Sequence, residues 1–212
     1  AYDADGNDLN AQSNSSFYLL YSRLGIDMTG PSIGKIATSA KIETDFRGTG
    51  TSFAILRIRH AYVNLAWKQS ALLLGQTWHP FFGDIYPQVL NLNTGAPFNA
   101  FSRAPQIRYR FDNGHWQLTG AALWQLQYLS NGPNGKSEEY IKNSCIPEFY
   151  AGIDYKHENF QAGIGAEVLS LKPRTQNTVD GKVYKLDERI TSMSFEAHLR
   201  YKTPDWLVAA KS

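Results

Sequence analysis

Polar and apolar residues alternate with a period of two along most of this chain, the pattern of strands with one apolar and one polar face. Leu20, Leu24, Ile26 and Met28 share one parity, and Arg23 and Asp27 the other, in a strand expected from Phe17 onward. After the turn Thr29-Gly30-Pro31-Ser32, the residues Ile36, Thr38, Ala40, Ile42, Thr44 and Phe46 alternate with Lys35, Ser39, Lys41, Glu43 and Asp45. That run exceeds the usual strand of about five or six residues. It reaches the length of about 9–11 that a membrane-crossing strand needs.

The same reading predicts strands over 53–65, 71–78, 105–111, 116–128, 149–155, 160–168, 193–201 and from Leu207 onward, ten in all. Alternation is poorest in 53–65. Placing Arg57 and Arg59 inward turns His60 and Asn64 outward and Val63 and Leu65 inward, a conflict that a bulge or a protein-covered outer face would resolve. Residues 71–74 are apolar on both faces, which also fits burial against another subunit.

The connections after strands four, six and eight are long, and those after one, three, five, seven and nine are short. Long external loops against short periplasmic turns mark an outer-membrane β-barrel; the short connection after strand two is the exception. The fold expected is therefore all-β, a transmembrane antiparallel up-and-down barrel forming a single domain over 1–212. The polar leader 1–16 becomes an external loop, and residues 79–101 a long, possible constriction loop, since long structured loops are usually functional. A barrel that begins on the external side and stops mid-strand at Ser212 suggests a fragment truncated at both ends; the alternative is a small closed ten-strand barrel.

Composition agrees. The 212 residues are 42% hydrophobic and 19% charged, with 12 Tyr, 11 Phe and 5 Trp. A net charge of +2 gives no reason to expect a nucleic-acid partner. Cys145 is the one cysteine, so no disulfide forms within the chain. Trp67, Trp116, Tyr128 and Tyr155 fall near strand ends, where a barrel carries its interfacial girdles and a soluble sandwich would carry core.

Candidate chemistry lies in 52–111. Arg57 and Arg59, then Arg108 and Arg110, occupy alternate positions, so each pair shares a face. Fixed guanidinium charge in a pore concentrates anions; the plainer reading is that these arginines pair with Glu43, Asp45, Glu167 or Glu196 and brace the wall. The segments Leu56-Arg57-Ile58-Arg59-His60-Ala61-Tyr62, Leu74-Gly75-Gln76-Thr77-Trp78 and Arg103-Ala104-Pro105-Gln106-Ile107-Arg108-Tyr109 resemble the DcaP-like porins, and the Asn- and Tyr-rich loops resemble a Bacteroidetes member. The resemblance implies a longer barrel in the bacterial outer membrane. It also implies a homotrimer in lipid and passive uptake of small polar or anionic solutes without a cofactor. A pore-lining, anion-selecting role passes to Arg57, Arg59, Arg108, Arg110 and Gln106. A constricting role passes to the loop with His79, Phe82, Asp84, Tyr86, Asn91 and Asn93.

Against this stand a plugged or structural outer-membrane barrel with a binding role, and a soluble lipocalin-like barrel whose polar face would be outside. No nucleophile elbow, phosphate loop or histidine spacing for a metal appears, so no enzyme is expected; pairing His79 with Asp84 is the one catalytic arrangement to consider. The run Asp3-Ala4-Asp5-Gly6-Asn7-Asp8 hints at a calcium loop, but the sixth and twelfth positions hold Asp8 and Asn14 where such loops need Gly and Glu.

Overall fold

The structure, a computed structural model, describes residues 1–11, 13, 15, 17, 19–48, 54–86, 100 and 102–212. In chain order the strands are β1 (Arg23–Thr29), β2 (Ala37–Asp45), β3 (Arg57–Trp67), β4 (Ser70–Trp78), β5 (Arg103–Asp112), β6 (Trp116–Leu123), β7 (Asn131–Gly132), β8 (Gly135–Lys136), β9 (Glu148–His157), β10 (Phe160–Leu171), β11 (Gln176–Val179), β12 (Lys182–Lys185), β13 (Ile190–Lys202) and β14 (Leu207–Lys211). A 3₁₀ turn, Pro80–Phe82, follows β4, and a helix, α1 (Glu139–Ser144), precedes β9.

Ten strands form one antiparallel sheet in the order β1-β2-β3-β4-β5-β6-β9-β10-β13-β14. Each pairs with its neighbour in sequence, apart from the small hairpins β7–β8 and β11–β12 carried on the long connections. β1 and β14 are the sheet's edges and do not pair with each other, so the closed ten-strand barrel is not what forms. Several boundaries differ from the sequence reading; β3, for one, starts at Arg57 rather than at 53. β1 starts at Arg23 after a turn in which the Ser22 amide donates to the Leu19 carbonyl, and β6 ends at Leu123 rather than continuing to Tyr128.

Burial decides which face is which. Ile26, Ile42, Ile58, Ile107, Phe149, Ile164 and Phe195 are exposed, whereas Asp45, Arg59, Gln106, Gln117, Glu148, Gln161 and Glu196 are buried. A water-soluble barrel has the reverse arrangement, so the lipocalin-like alternative fails on sidedness. An apolar outer band with a polar interior is the pattern of a membrane barrel. Trp116 and Tyr155 lie side by side (ring centroids 4.9 Å), and Trp67 stands beside Tyr109 (6.3 Å), all at the short-turn end where a girdle belongs. Tyr128 lies outside the strands, at the other end. Exposed Ile164 sits in mid-strand. Replacing it with arginine should destabilise the membrane-inserted barrel by about 2–4 kcal/mol, read from denaturant titration in lipid vesicles. Arginine at Thr119, on the polar face, should change the midpoint little.

The conflict within β3 is a bulge. Glu43 pairs with His60 and Thr44 with Ile58, so Arg59 is the extra residue. Beyond it Asn64 faces inward, and Val63 and Leu65 outward. Gly75 on β4 makes the close pairing possible. Its φ is +133°, and a Cβ there would lie 2.3 Å from the Ala61 carbonyl oxygen.

The connections after β6 and β10 carry structure of their own. α1 buries Tyr140 and Ile141, and Arg189 donates to the Ser144 carbonyl (2.9 Å) and hydroxyl (2.8 Å). At the base of the β11–β12 hairpin, Lys172 (2.7 Å), together with Lys185 (3.3 Å), holds the Asp187 carboxyl below its usual pKa range by hydrogen bonding. In the leader, Asp3 accepts the backbone amides of Asp5 (3.0 Å) and Asn7 (2.8 Å). These bonds form an Asx turn at the start of the leader, and Asn14, the twelfth position of the calcium-loop reading, lies outside the described residues.

Candidate functional site

The chain after β4 turns onto the polar face. Phe81 and Ile85 are buried, and Phe81 joins Ala104, Ala121, Leu123 and Tyr150 in a small apolar cluster on the otherwise polar wall. Tyr150 can lie flat there because Gly152 and Gly165 leave its ring room; a Cβ at either would fall within 2.6 Å of the phenolic oxygen. Three rings then run in a stack along the segment. Trp78 lies 4.4 Å from Phe82, and Phe82 5.1 Å from Tyr86, between centroids.

Polar clamps fasten this segment from the far strands. Lys211, on β14, donates to the carbonyls of Phe81 and Phe82 (3.0 Å to the latter) and pairs with Glu196 (3.4 Å). Lys156, on β9, reaches Asp84 (3.2 Å) and Gln117 (3.1 Å). His79 Nε2 lies 2.5 Å from Glu148 and 3.3 Å from Glu167. The His79–Asp84 pairing considered for catalysis is therefore not made: each residue has another partner. The trio His79, Glu148 and Glu167 brings ligand-type atoms within 4.8 Å of one another. However, His79 Nδ1 accepts the Phe81 amide (3.2 Å). That places the ring proton on Nε2, the nitrogen a cation would need, so the trio is a hydrogen-bonded latch at the root of the segment.

The arginines fall into two groups, all on the polar face. Arg57 donates bidentately to Asp45 (2.9 and 2.6 Å), and Arg59 donates to Glu43 (2.6 Å) and Asp45 (3.1 Å). Their charge is met at once. Arg108 donates to Gln106 Oε1 (2.8 Å) and to the Trp78 carbonyl, while Gln106 Nε2 reaches the Thr77, Trp78 and Ala104 carbonyls, each at 3.1 Å. Gln106 thus fixes the Arg108 guanidinium without neutralising it. Among the described residues neither Arg108 nor Arg110 has a carboxylate partner. Both face a cleft of about 450 Å³ bounded opposite by Tyr86, Asp84 and Asp154. Asp84 is held by Lys156 and Asp154 by His198 (2.8 Å), so the cleft's unanswered charge is positive. Asn91 and Asn93 lie outside the described residues.

Lys156, Lys211 and Glu148 escaped the sequence reading: they come next to residues 79–85 only through register across the sheet.

Fold and site together define a curved antiparallel wall of the outer-membrane barrel type, polar within and apolar without, with a chain segment folded onto its inner face. No protein-family model and no characterised protein sequence matches the chain. Solved structures do. A loop L8 deletion mutant of OmpT, an outer membrane protein of Vibrio cholerae, aligns over 90% of this chain and 59% of its own at 15% identity and a TM-score of 0.55. In-vitro folded OmpT in its trimer form aligns over 89% of this chain and 55% of its own (14%, 0.56), and OmpT expressed in the outer membrane over 89% and 54% (13%, 0.57). At these identities the likeness is one of fold, and the chain spans little more than half the length of these neighbours.

Proposed function

We propose that the chain is part of an outer-membrane porin, a passive diffusion channel with a preference for small polar and anionic solutes. The observation that carries this reading is the pair Arg108 and Arg110, cations without carboxylate partners facing a cleft on the polar side of a barrel wall. Residues 79–86, clamped to that wall, narrow the passage, and the stacked rings of Trp78, Phe82 and Tyr86 give it a rigid apolar edge. Arg57 and Arg59 brace the wall through Asp45 and Glu43. In this reading the long connections and the leader 1–16 face outside the cell, and the short turns the periplasm. Membership of the DcaP-like porins, a Bacteroidetes origin and a homotrimeric assembly belong to the same proposal. They are supported by the three quoted segments, the loop composition, and the trimer form of OmpT.

The test is the intact parent protein in a planar bilayer under a salt gradient. Stable conductance with a reversal potential on the anion side is expected. A barrel that inserts but passes no current would sink the channel reading in favour of a plugged binding barrel.

A further inference from the structure

We infer that the protein carries a second anion site, outside the permeation cleft, that holds the phosphate of an anionic lipid from the surrounding leaflet. The inference rests on the membrane reading above. A cleft of about 890 Å³ opens at the long-connection end, where β3 and β5 begin and residues 126–136 pass over them. Arg47, Arg57, Arg103 and Lys136 line it, and no carboxylate of the described residues does. Asp45 answers Arg57 from behind. Arg103 is only 5% exposed, and among the described residues its Nε has no hydrogen-bond partner. Its guanidinium rests on the Trp78 ring, 4.3 Å from the centroid, while Arg47 lies over Tyr21 at 4.7 Å. A buried guanidinium N–H without an acceptor is costly, and a phosphate oxygen matches guanidinium geometry.

The remaining wall identifies the carrier of that phosphate. Leu56 and Ile58 are 60% and 53% exposed, and Ile58 pairs with Thr44 in the outward row that also contains Leu24. The cleft therefore reaches the apolar outer band on this side, while Arg57 and Arg103 anchor its other side to the polar face. Cations beside an exposed apolar surface at a membrane edge suit an amphiphile: a phosphorylated headgroup on the arginines and acyl chains along Leu56 and Ile58. A free solute anion would gain nothing from the apolar side.

Native mass spectrometry of the detergent-solubilised protein with bisphosphorylated lipid A tests this. A retained one-lipid adduct is expected. Arg103→Gln, Arg47→Gln and Lys136→Gln should each weaken it roughly fivefold, the effect of removing one cation near a charged surface. Should Arg103→Gln fail to fold, the exposed Arg47→Gln and Lys136→Gln carry the test. Equal retention of fully dephosphorylated lipid A, displacement by inorganic phosphate at concentrations near that of the lipid, or unaltered binding by all variants would overturn the inference. Bilayer recordings on the same samples separate the two proposals. Anion-selective current without lipid retention removes this site alone, whereas failure to insert removes the membrane reading and this site with it.

Discussion

Replacing Arg108 with alanine is expected to lower the chloride-over-potassium permeability ratio of the proposed channel by about fivefold. A unit charge about 4 Å from a passing ion is worth about 1 kcal/mol in a water-like dielectric, and the wall around Arg108 is drier than bulk water, so the estimate is conservative. The effect should be specific. Gln106 holds the Arg108 guanidinium in place with a neutral amide, so the alanine variant leaves no buried charge behind. Arg110→Ala should move selectivity in the same direction. The joint replacement Asp45→Asn with Arg57→Gln should hardly move it, because it removes an ion pair (2.6 Å) whose two charges already cancel. The measurement is the reversal potential across a potassium chloride gradient at low ionic strength, where screening is weakest. An unchanged potential in Arg108→Ala, or an equal shift in Asp45→Asn/Arg57→Gln, removes Arg108 from the selectivity mechanism.

Asp45→Ala is expected to be the most destabilising single change, by about 3–5 kcal/mol. Asp45 is fully buried, accepts three guanidinium hydrogen bonds from Arg57 and Arg59, and accepts the Arg47 amide besides. Its removal leaves Arg57 without a carboxylate partner among the described residues, beside the nearly buried Arg59, which keeps Glu43 alone. Because Arg57 keeps some access to water, the value belongs toward the lower end of that range. Urea unfolding from lipid vesicles, followed by tryptophan fluorescence, measures it. The double variant Asp45→Ala/Arg57→Met should recover part of the loss by removing one of the stranded charges. A midpoint like that of the unaltered protein would show that the cluster does not hold the wall.

The strand plan was legible because membrane strands are long and their two faces differ sharply in polarity: alternation through Lys41, Glu43 and Asp45 against Ile42 and Thr44 needs no partner to be read. The polarity of the barrel was not legible. Period two separates faces without saying which is inside, and only burial of Gln106 and Gln117 against exposure of Ile107 and Leu118 settled it. The site was half legible. The arginine pairs stood out by spacing, but the difference between the answered Arg57 and Arg59 and the unanswered Arg108 and Arg110 depends on which strand lies alongside. β2 brings carboxylates to β3, whereas β6 brings Ala121 and Thr119 to β5. The clamp by Lys211 joins residues far apart in the chain, beyond any local pattern.

The bulge at Arg59 gives β3 two reading frames. On one side of the extra residue Arg57 faces inward with Asp45; on the other, His60, Tyr62 and Asn64 do. Deleting Arg59 itself would merge the frames into one regular strand and turn no other side chain over. Deleting any single residue between His60 and Trp67 would shift everything beyond it by one position, sending aliphatic side chains into the polar interior and polar ones into lipid. Arg59 is therefore the joint at which two oppositely phased stretches of β3 meet, and its extra residue is what keeps both of them facing the right way.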